Sequence, residues 1–290
     1  MRIAVCLKYV PDPTTVEVDP LSGEIDPVRT LYMMNPADAA ALETALRLRT
    51  EADSVWALTV GPLETEAVLR DAIAVGADSV LRLWDESRTY SKPPMTSLLL
   101  AAALRTEGLP DLVLCGARSV DRGSGKLPAL LGEHLDWPVV TDITHFELQQ
   151  GNVKFQRRLA RGARAEGEVI LPAVLGLEAG LAQLRHASLP GLMRAKQTSI
   201  PVRHLADLGL SAQDLSFPAA TLHAVMPPHP RPRTIFIPDS NLPPHERIAQ
   251  IMSAGVTSKT GKVLEKGTPE EMADAIIAFL DEHGFLEESS

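Results

Sequence analysis

Short apolar runs alternate with longer segments, in which apolar residues recur every three or four positions, through the first half of the chain. The short runs predict buried strands, and the longer segments predict amphipathic helices. Strands are expected at residues 3–7, 55–60, 79–83, 112–115 and 139–143, and helices at 35–49, 63–75, 95–105 and 126–135. The alternation indicates an α/β fold with a doubly wound, mostly parallel sheet that carries helices on both faces.

Residues typical of helix ends support these assignments. Asn35 is expected to cap the first helix, with Pro36 at its first position, and Gly76 is expected to end the second helix. Near the C-terminus, Thr268 and Glu271 form a capping-box pattern at the start of a last helix that Gly284 ends.

The pattern changes after residue 149. Residues 153–177 are expected to form two strands joined by a charged loop, as an antiparallel hairpin at the sheet edge. Residues 218–244 contain eight prolines, which argues against helix and central strand and predicts an extended arm. We therefore expect an α/β domain at residues 1–205 and a proline-rich arm with a final helix at 206–290.

The composition and net charge of the chain disfavour some classes of ligand. The 290 residues carry a net charge of −9, which disfavours nucleic acid and anionic membrane as main ligands. We expect no signal peptide and no transmembrane segment, because the apolar runs are too short. Cys6 and Cys115 lie in apolar runs and are expected to be reduced, buried thiols of a cytoplasmic protein. The histidines show no spacing typical of metal ligands.

A glycine-containing loop, GARSVDRGSGK, begins at Gly116 between a predicted strand and a predicted helix. Parallel sheets bind ligands beyond the C-terminal ends of their strands, which are expected here at Lys8-Tyr9, Val60-Gly61 and Gly116-Ala117, and this loop lies at the last of these ends. A phosphate-binding P-loop is excluded, because Val120 stands where its first glycine is required and Leu127 where its magnesium-binding hydroxyl is required. The dinucleotide pattern G-x-G-x-x-G is missing as well.

Two interpretations of this loop remain open on its residues alone. Its glycines and the start of the next helix can present backbone N–H groups to an anion, and Arg122 and Lys126 can add positive charge. The same glycines are as compatible with a solvated surface turn that binds nothing.

An ordered set of segments between residues 1 and 205 resembles the beta subunit of electron-transfer flavoproteins. The segments are LKYVPDPTTVEVDPLSGEID, MMNPADAAALETALRL, TVGP, AIAVGADSVLRL, LVLCGARSVD, LDWP, LPAVLGL and SLPGLMRAKQTSI. The resemblance implies a fold akin to adenine-nucleotide-binding domains and an electron carrier rather than a stand-alone enzyme. It also implies an alpha subunit that holds most of an FAD, and AMP or a second FAD in the beta subunit.

The same resemblance implies the redox partners, which are flavin dehydrogenases as electron donors and a quinone reductase as acceptor. The chemistry would belong to the flavin, while the protein supplies binding and electrostatics. A nucleotide-binding regulatory module without a redox role is the main alternative, and an ATP-using enzyme on the same fold is a third.

Residues matching the family's nucleotide site lie at the predicted strand and helix ends. They are Cys6, Asn35, Pro36, Ala37, Asp38, Val60, Gly61, Gly116, Ala117, Arg118, Ser119, Val120, Asp121, Arg122, Gly123, Ser124, Gly125, Lys126 and Leu127.

The family's partner-docking loop corresponds to residues 178–194 and anchors through a leucine that corresponds to Leu189, before Pro190. Arg185, Arg194 and Lys196 would surround this leucine with positive charge. Without the resemblance, a Leu189 that packs on its own domain is the simpler interpretation.

This sequence departs from the family pattern at several positions. The nucleotide loop reads DRGSGKLPA, in which only Asp121 of the usual acids is kept and Lys126 replaces a glutamine. Arg164 and its neighbours stand where the family often has DGGxE, and Leu184 and His186 replace a proline and a tyrosine. The nucleotide and the redox partner therefore stay open. The tail at 206–290 looks long for the family, and we expect it to wrap the alpha subunit.

Overall fold

A computed structural model describes residues 1–19, 23–26, 28–85, 92–149, 151–211, 213–215, 241–252 and 267–282. The chain divides into two compact units, Met1–Pro227 and Pro228–Ser290. The strands are β1 Arg2–Cys6, β2 Tyr9–Pro11, β3 Tyr32–Met34, β4 Ser54–Val60, β5 Ser79–Leu83, β6 Leu112–Gly116, β7 Val139–Gln149, β8 Asn152–Arg158, β9 Arg164–Ile170, β10 Ala173–Leu177 and β11 Val202–Arg203. The α-helices are α1 Pro36–Leu48, α2 Glu66–Val75, α3 Pro93–Thr106, α4 Leu127–Leu135, α5 Leu189–Gln197, α6 Pro244–Met252 and α7 Pro269–Glu282.

Within the described residues, nine strands of the first unit form one sheet in the order β11-β5-β4-β1-β6-β10-β7-β8-β9. All pairs from β11 to β7 are parallel. The pairs β7–β8 and β8–β9 are antiparallel and extend one edge. The predicted fold class, a doubly wound and mostly parallel α/β sheet, is confirmed.

Helices cover both faces of the sheet, as its alternating side chains require. Ile3 and Val5 of β1 join one apolar cluster with residues of α1, α2 and α5. Ala4 and Cys6 of the same strand join a second cluster with residues of α3 and α4. Successive side chains of a strand point to opposite faces of the sheet. The buried strand β1 therefore contributes side chains to the apolar core on each face.

The chain order places a crevice beside the end of β1. The chain runs from β1 through β4 to β5 on one side, and α3 then carries it across to β6 on the other side of β1. Helices that leave neighbouring strands toward opposite faces open a gap at the carboxyl ends of those strands. The loops after β1, β4 and β6 therefore surround one candidate site.

Residues 153–177 form three strands and not the two that were predicted. The hairpin exists as β8 and β9, but a third strand, β10, pairs in parallel with β6 and β7. Pro172 separates β9 from β10, since proline has no N–H for a sheet ladder. The strand expected at 139–143 continues to Gln149, because its second half alternates exposed and half-buried residues against β8.

The predicted helices exist with small shifts at their ends. The helix expected from residue 63 begins with a 3₁₀ turn at Leu63–Thr65 and ends at Gly76 as predicted. The strands β2, β3 and β11 were too short to predict, and α5 lies within the region assigned to a docking loop.

The second unit contains α6 and α7. The predicted capping box is confirmed, since Thr268 N–H donates to Glu271 Oε2 at 2.9 Å and Glu271 N–H donates to Thr268 Oγ1 at 3.3 Å. Most of the proline-rich arm and Gly284 lie outside the described residues. Across the described part of the chain, no helix has the length and apolar character needed to span a membrane. The division at residues 205 and 206 stays a prediction.

Candidate functional site

A cavity of about 450 Å³ lies at the carboxyl ends of β1, β4 and β6. It brings together most of the residues predicted for the nucleotide site: Cys6, Asn35, Asp38, Val60, Gly61, Gly116, Ala117, Arg118, Ser119, Asp121, Arg122, Ser124, Gly125, Lys126 and Leu127. The other four predicted residues, Pro36, Ala37, Val120 and Gly123, are chain neighbours of lining residues but do not line the cavity.

Asp38 joins the ends of two strands beneath the cavity. It lies in the first turn of α1, where its carboxylate accepts hydrogen bonds from Gly116 N–H at 2.9 Å and Lys8 N–H at 2.8 Å. Burial raises the pKa of Asp38 to about 7, although these hydrogen bonds favour the charged form. Asp38 therefore lines the cavity and also holds the end of β6 and the segment after β1 in place beneath it.

Asn35 is the N-cap residue of α1, as predicted, but its side chain makes no capping hydrogen bond. In the described first turn of α1, no N–H group bonds to that side chain. Its amide donates to the Arg118 carbonyl at 3.2 Å and accepts from Val120 N–H at 3.2 Å instead. The buried amide thus holds the loop after β6, which is a tertiary role that helix-end patterns do not reveal.

Gly116 is required by the close approach of α1. A Cβ atom at this position would lie 2.3 Å from Asp38 Oδ1 and 2.7 Å from the Ala37 Cβ. No side chain fits at such distances without displacing the helix or the strand. Glycine therefore allows the end of β6 to pack directly on the start of α1.

Lys8 lines the cavity at a strand end that was expected to face ligands, but it was not among the residues assigned to the nucleotide site. Its ammonium group donates to both carboxylate oxygens of Asp121 at 2.6 Å and to Ser119 Oγ at 3.3 Å. Partial burial would raise the pKa of Asp121, but the hydrogen bond and charge of Lys8 outweigh it and hold that pKa below its usual value. The position of Lys8, two residues beyond the end of the parallel strand β1, was the available signal.

The second half of the loop forms an exposed glycine turn before α4. Gly123 and Gly125 have φ angles of 59° and 60°, in the left-handed region that favours glycine. Among the described residues, no side chain caps the first turn of α4. Lys126 and Leu127 line the cavity, so the positive end of α4 lies at the cavity wall.

The cavity carries more positive than negative charge on an acidic protein. Its ionisable cationic lining residues are Lys8, Arg118, Arg122 and Lys126, and its carboxylates are Asp38 and Asp121. Arg118 also forms an ion pair with Asp142 at the rim. This excess, together with the helix end, suits an anionic ligand.

Another part of the lining is largely apolar or aromatic. Tyr9, Pro62, Trp84, Pro93 and Leu100 contribute to it, and none was among the residues assigned to the nucleotide site. Tyr9 stacks on Tyr32 with ring centroids 5.2 Å apart. Trp84 directly follows β5, so the strand-end rule could have found it. Such a surface suits a flat heteroaromatic ring.

The two cysteines are buried neighbours, as expected. Cys6 and Cys115 pair in register on β1 and β6, and both are free thiols. Burial raises the pKa of Cys6 to about 12 and the pKa of Cys115 well above its usual value. Both thiols are therefore protonated at neutral pH. Among the described residues, no group of three metal-ligating side chains is assembled.

An exposed apolar stripe lies on α5, and we call Leu189, Leu192 and Met193 the docking face. Leu189 is 71% exposed, so the interpretation that it packs on its own domain is wrong. Leu192 and Met193, which the sequence analysis missed, are 50% and 56% exposed. Ser188 caps the helix by accepting from Gly191 N–H at 3.2 Å. Pro190 is also exposed.

Two of the basic residues expected around Leu189 are bonded within the chain. Arg185 donates to both carboxylate oxygens of buried Glu43 on α1, at 2.9 and 3.1 Å. Arg194 donates to the Ile73 carbonyl at 2.6 Å, which ties α5 to α2. Lys196 is exposed on α5. Arg185 and Arg194 therefore position the docking face as much as they charge it.

The sequence profile described as Electron transfer flavoprotein domain matches residues 25–208. The chain is 32% identical to the Caffeyl-CoA reductase-Etf complex subunit CarD of Acetobacterium woodii, over 73% of this chain and 82% of that protein. It is 31% identical to the electron transfer flavoprotein subunit beta of Bacillus subtilis, over 71% of this chain and 80% of the relative.

The long tail is shared with at least one relative. The electron transfer flavoprotein subunit beta of Thermoanaerobacterium thermosaccharolyticum is 25% identical over 92% of this chain and 97% of its own length. That coverage includes most of residues 206–290. The profile match and the relatives show that the chain belongs to the electron transfer flavoprotein family as a beta-type subunit.

Proposed function

We propose that this chain pairs with an alpha subunit to form a heterodimeric electron carrier, and that its own cavity holds an adenine nucleotide. The flavin, an FAD bound mainly by the alpha subunit, supplies the redox chemistry when bound. The chain positions that subunit, offers a face to redox partners and binds AMP or a second FAD.

One observation carries the nucleotide assignment. The same cavity has a cationic glycine loop at a helix start on the β6 side, and Pro62 and Trp84 on the side of β4 and β5. A phosphate group fits the first side, through backbone N–H groups and Lys126. An adenine ring fits the second side, through stacking and apolar contact. The residues present therefore fit the group that the family implies.

The cavity volume supports a small-molecule ligand. At about 450 Å³, the cavity lies within the range of roughly 300–1,000 Å³ typical of such sites. AMP and FAD share the adenosine and the first phosphate, so the same contacts serve both.

The docking face supports the expected exchange of electrons with protein partners. We propose that Leu189 inserts into a pocket on a flavin dehydrogenase donor, with Leu192 and Met193 around it. A few exposed apolar anchors commonly dominate the energy of such an interface. CarD is named as a subunit of a caffeyl-CoA reductase–Etf complex, which supports a stable association with a redox partner. A quinone reductase acceptor and a cytoplasmic location stay predictions.

The tail supports the pairing with an alpha subunit. On α7, Ile276, Ile277 and Phe279 are each at least 50% exposed. Apolar residues on one described helix at this exposure suit burial against a partner. We propose that residues 206–290 wrap the alpha subunit.

Calorimetric titration of the full chain with AMP and with FAD tests the nucleotide site. We expect saturable binding of at least one of them, and weaker binding in Lys126→Ala. The variant Lys154→Ala, which removes an exposed lysine on β8 outside the cavity lining, is the matched control and should bind like the unchanged chain. Failure of both nucleotides to bind would contradict the assignment.

A further inference from the structure

The loop after β6 is held at three successive points before its glycine turn. Asp38 accepts from Gly116 N–H at 2.9 Å, and Asn35 bonds the loop at Arg118 and Val120. Lys8 provides the last attachment, through Asp121 and Ser119. Beyond it, residues 122–124 are exposed and Gly123 and Gly125 adopt left-handed backbone.

The contact between Lys8 and Asp121 is an ion pair, whereas Asp38 and Asn35 hold the loop through hydrogen bonds to its backbone. Both oxygens of the Asp121 carboxylate lie 2.6 Å from Lys8 Nζ, so the ammonium group neutralises a carboxylate that lines the cavity. An unpaired carboxylate at this place would repel a phosphate group. The side chains are 43% and 19% exposed, so solvent weakens the pair without removing it.

We infer that Lys8 is a positioning residue for the nucleotide phosphate: by binding Asp121 and Ser119, it holds the glycine turn in place and cancels the carboxylate that would oppose the ligand. The inference rests on the proposed nucleotide site. Lys8 acts through Asp121, since both oxygens of that carboxylate already accept its ammonium group.

The role predicts a loss specific to the phosphate. We expect Lys8→Met to weaken AMP binding about five- to tenfold, the change given by one partly exposed charged hydrogen bond. Adenosine, which lacks the phosphate, should bind Lys8→Met as it binds the unchanged chain. Lys8→Arg should keep most of the AMP affinity, because arginine also binds a carboxylate through two hydrogen bonds.

Calorimetry on the full chain with AMP and adenosine as probes makes the test. Lys154→Met is the control, since it removes the same charge from an exposed position on β8. A Lys8→Met chain that loses AMP and adenosine binding equally would overturn the inference, because the loss would then be structural. Unchanged AMP binding in Lys8→Met would overturn it as well.

The variant Asp121→Asn distinguishes a positioning role of Lys8 from direct contact between Lys8 and the phosphate. Under the inference, adding Lys8→Met to Asp121→Asn changes AMP binding little, because Lys8 acts through the Asp121 carboxylate. If Lys8 touched the phosphate directly, Lys8→Met would weaken AMP binding in the Asp121→Asn chain as well, and the inference would be overturned. A full chain that binds neither AMP nor FAD would instead overturn the proposed function, and this inference with it.

Discussion

The Asp38 carboxylate accepts a hydrogen bond from Gly116 N–H at 2.9 Å, and this contact joins the start of α1 to the end of β6. It leaves no room for a side chain at residue 116, since a Cβ atom there would lie 2.3 Å from Asp38 Oδ1. The floor of the cavity therefore depends on one glycine and one buried acid.

Gly116→Ala should destabilise the protein by about 2 kcal/mol or more, because either α1 or β6 must move. Urea unfolding followed by circular dichroism measures the change. Gly180→Ala is the control, since open space surrounds its added methyl group. Equal stabilities of the two variants would contradict the close packing at Gly116.

The ion pair between Glu43 and Arg185 should make the free energy of unfolding decrease at acidic pH. Burial would raise the pKa of Glu43, but the hydrogen bonds from Arg185 and Arg47 lower it from 4.5 to about 2. The charged form is thus favoured in the folded state. Its stabilisation is present above the unfolded pKa and is lost as the pH falls through the folded pKa.

Glu43→Gln should therefore cost about 2 kcal/mol near neutral pH and progressively less as the pH falls from about 4.5 toward 2. Unfolding free energies across this range check the sign. Glu64→Gln, a change of the same charge at an exposed position, should show no such dependence. A Glu43→Gln deficit that grew in acid would refute the assignment.

Lys126→Ala should weaken AMP binding about threefold to tenfold, since an exposed charge beside a helix start contributes modestly. The deficit should shrink as salt is added, because salt screens an exposed charge. Titrations at low and high ionic strength measure both effects. A deficit independent of salt would indicate that Lys126 shapes the loop rather than attracting the phosphate.

Leu189→Ala should slow electron transfer from the physiological donor about tenfold or more, since it removes the central anchor of the docking face. Flavin content should be unchanged, because Leu189 is not part of the cavity lining. Stopped-flow reduction by the donor gives the rate. Leu109→Ala, at a similarly exposed leucine on another loop, should react normally, and equal rates for both variants would reject the docking role.

The sequence predicted β1, β4, β5, β6 and the start of β7 because these strands read as short apolar runs, but it missed the parallel strands β10 and β11. It also located the cavity, since strand ends and the resemblance identified the same loops. Lys8, two residues after β1, and Trp84, directly after β5, were not assigned to the nucleotide site, because a strand end alone does not show which side chains line a cavity. Lys8 and Asp121 are brought together only by the pairing of β1 with β6.

Other features depend on tertiary contacts that local patterns do not contain. Asn35 matched a helix cap by type and position, but its amide reaches the loop at Arg118 and Val120. Arg185 was expected to be a surface charge around Leu189, but its guanidinium group donates a hydrogen bond to buried Glu43. The change of partners between β9, which pairs with β8, and β10, which pairs with β6 and β7, could not be inferred from local patterns in residues 153–177.

Co-expression of the chain with an alpha subunit encoded beside it tests the central claim most directly. The two chains should co-purify as a yellow complex, and the nucleotide released by denaturation should contain AMP or FAD beyond the flavin that the alpha subunit holds. A beta chain that stays separate and colourless in the presence of its alpha subunit, or a complex whose only nucleotide is that of the alpha subunit, would contradict the account.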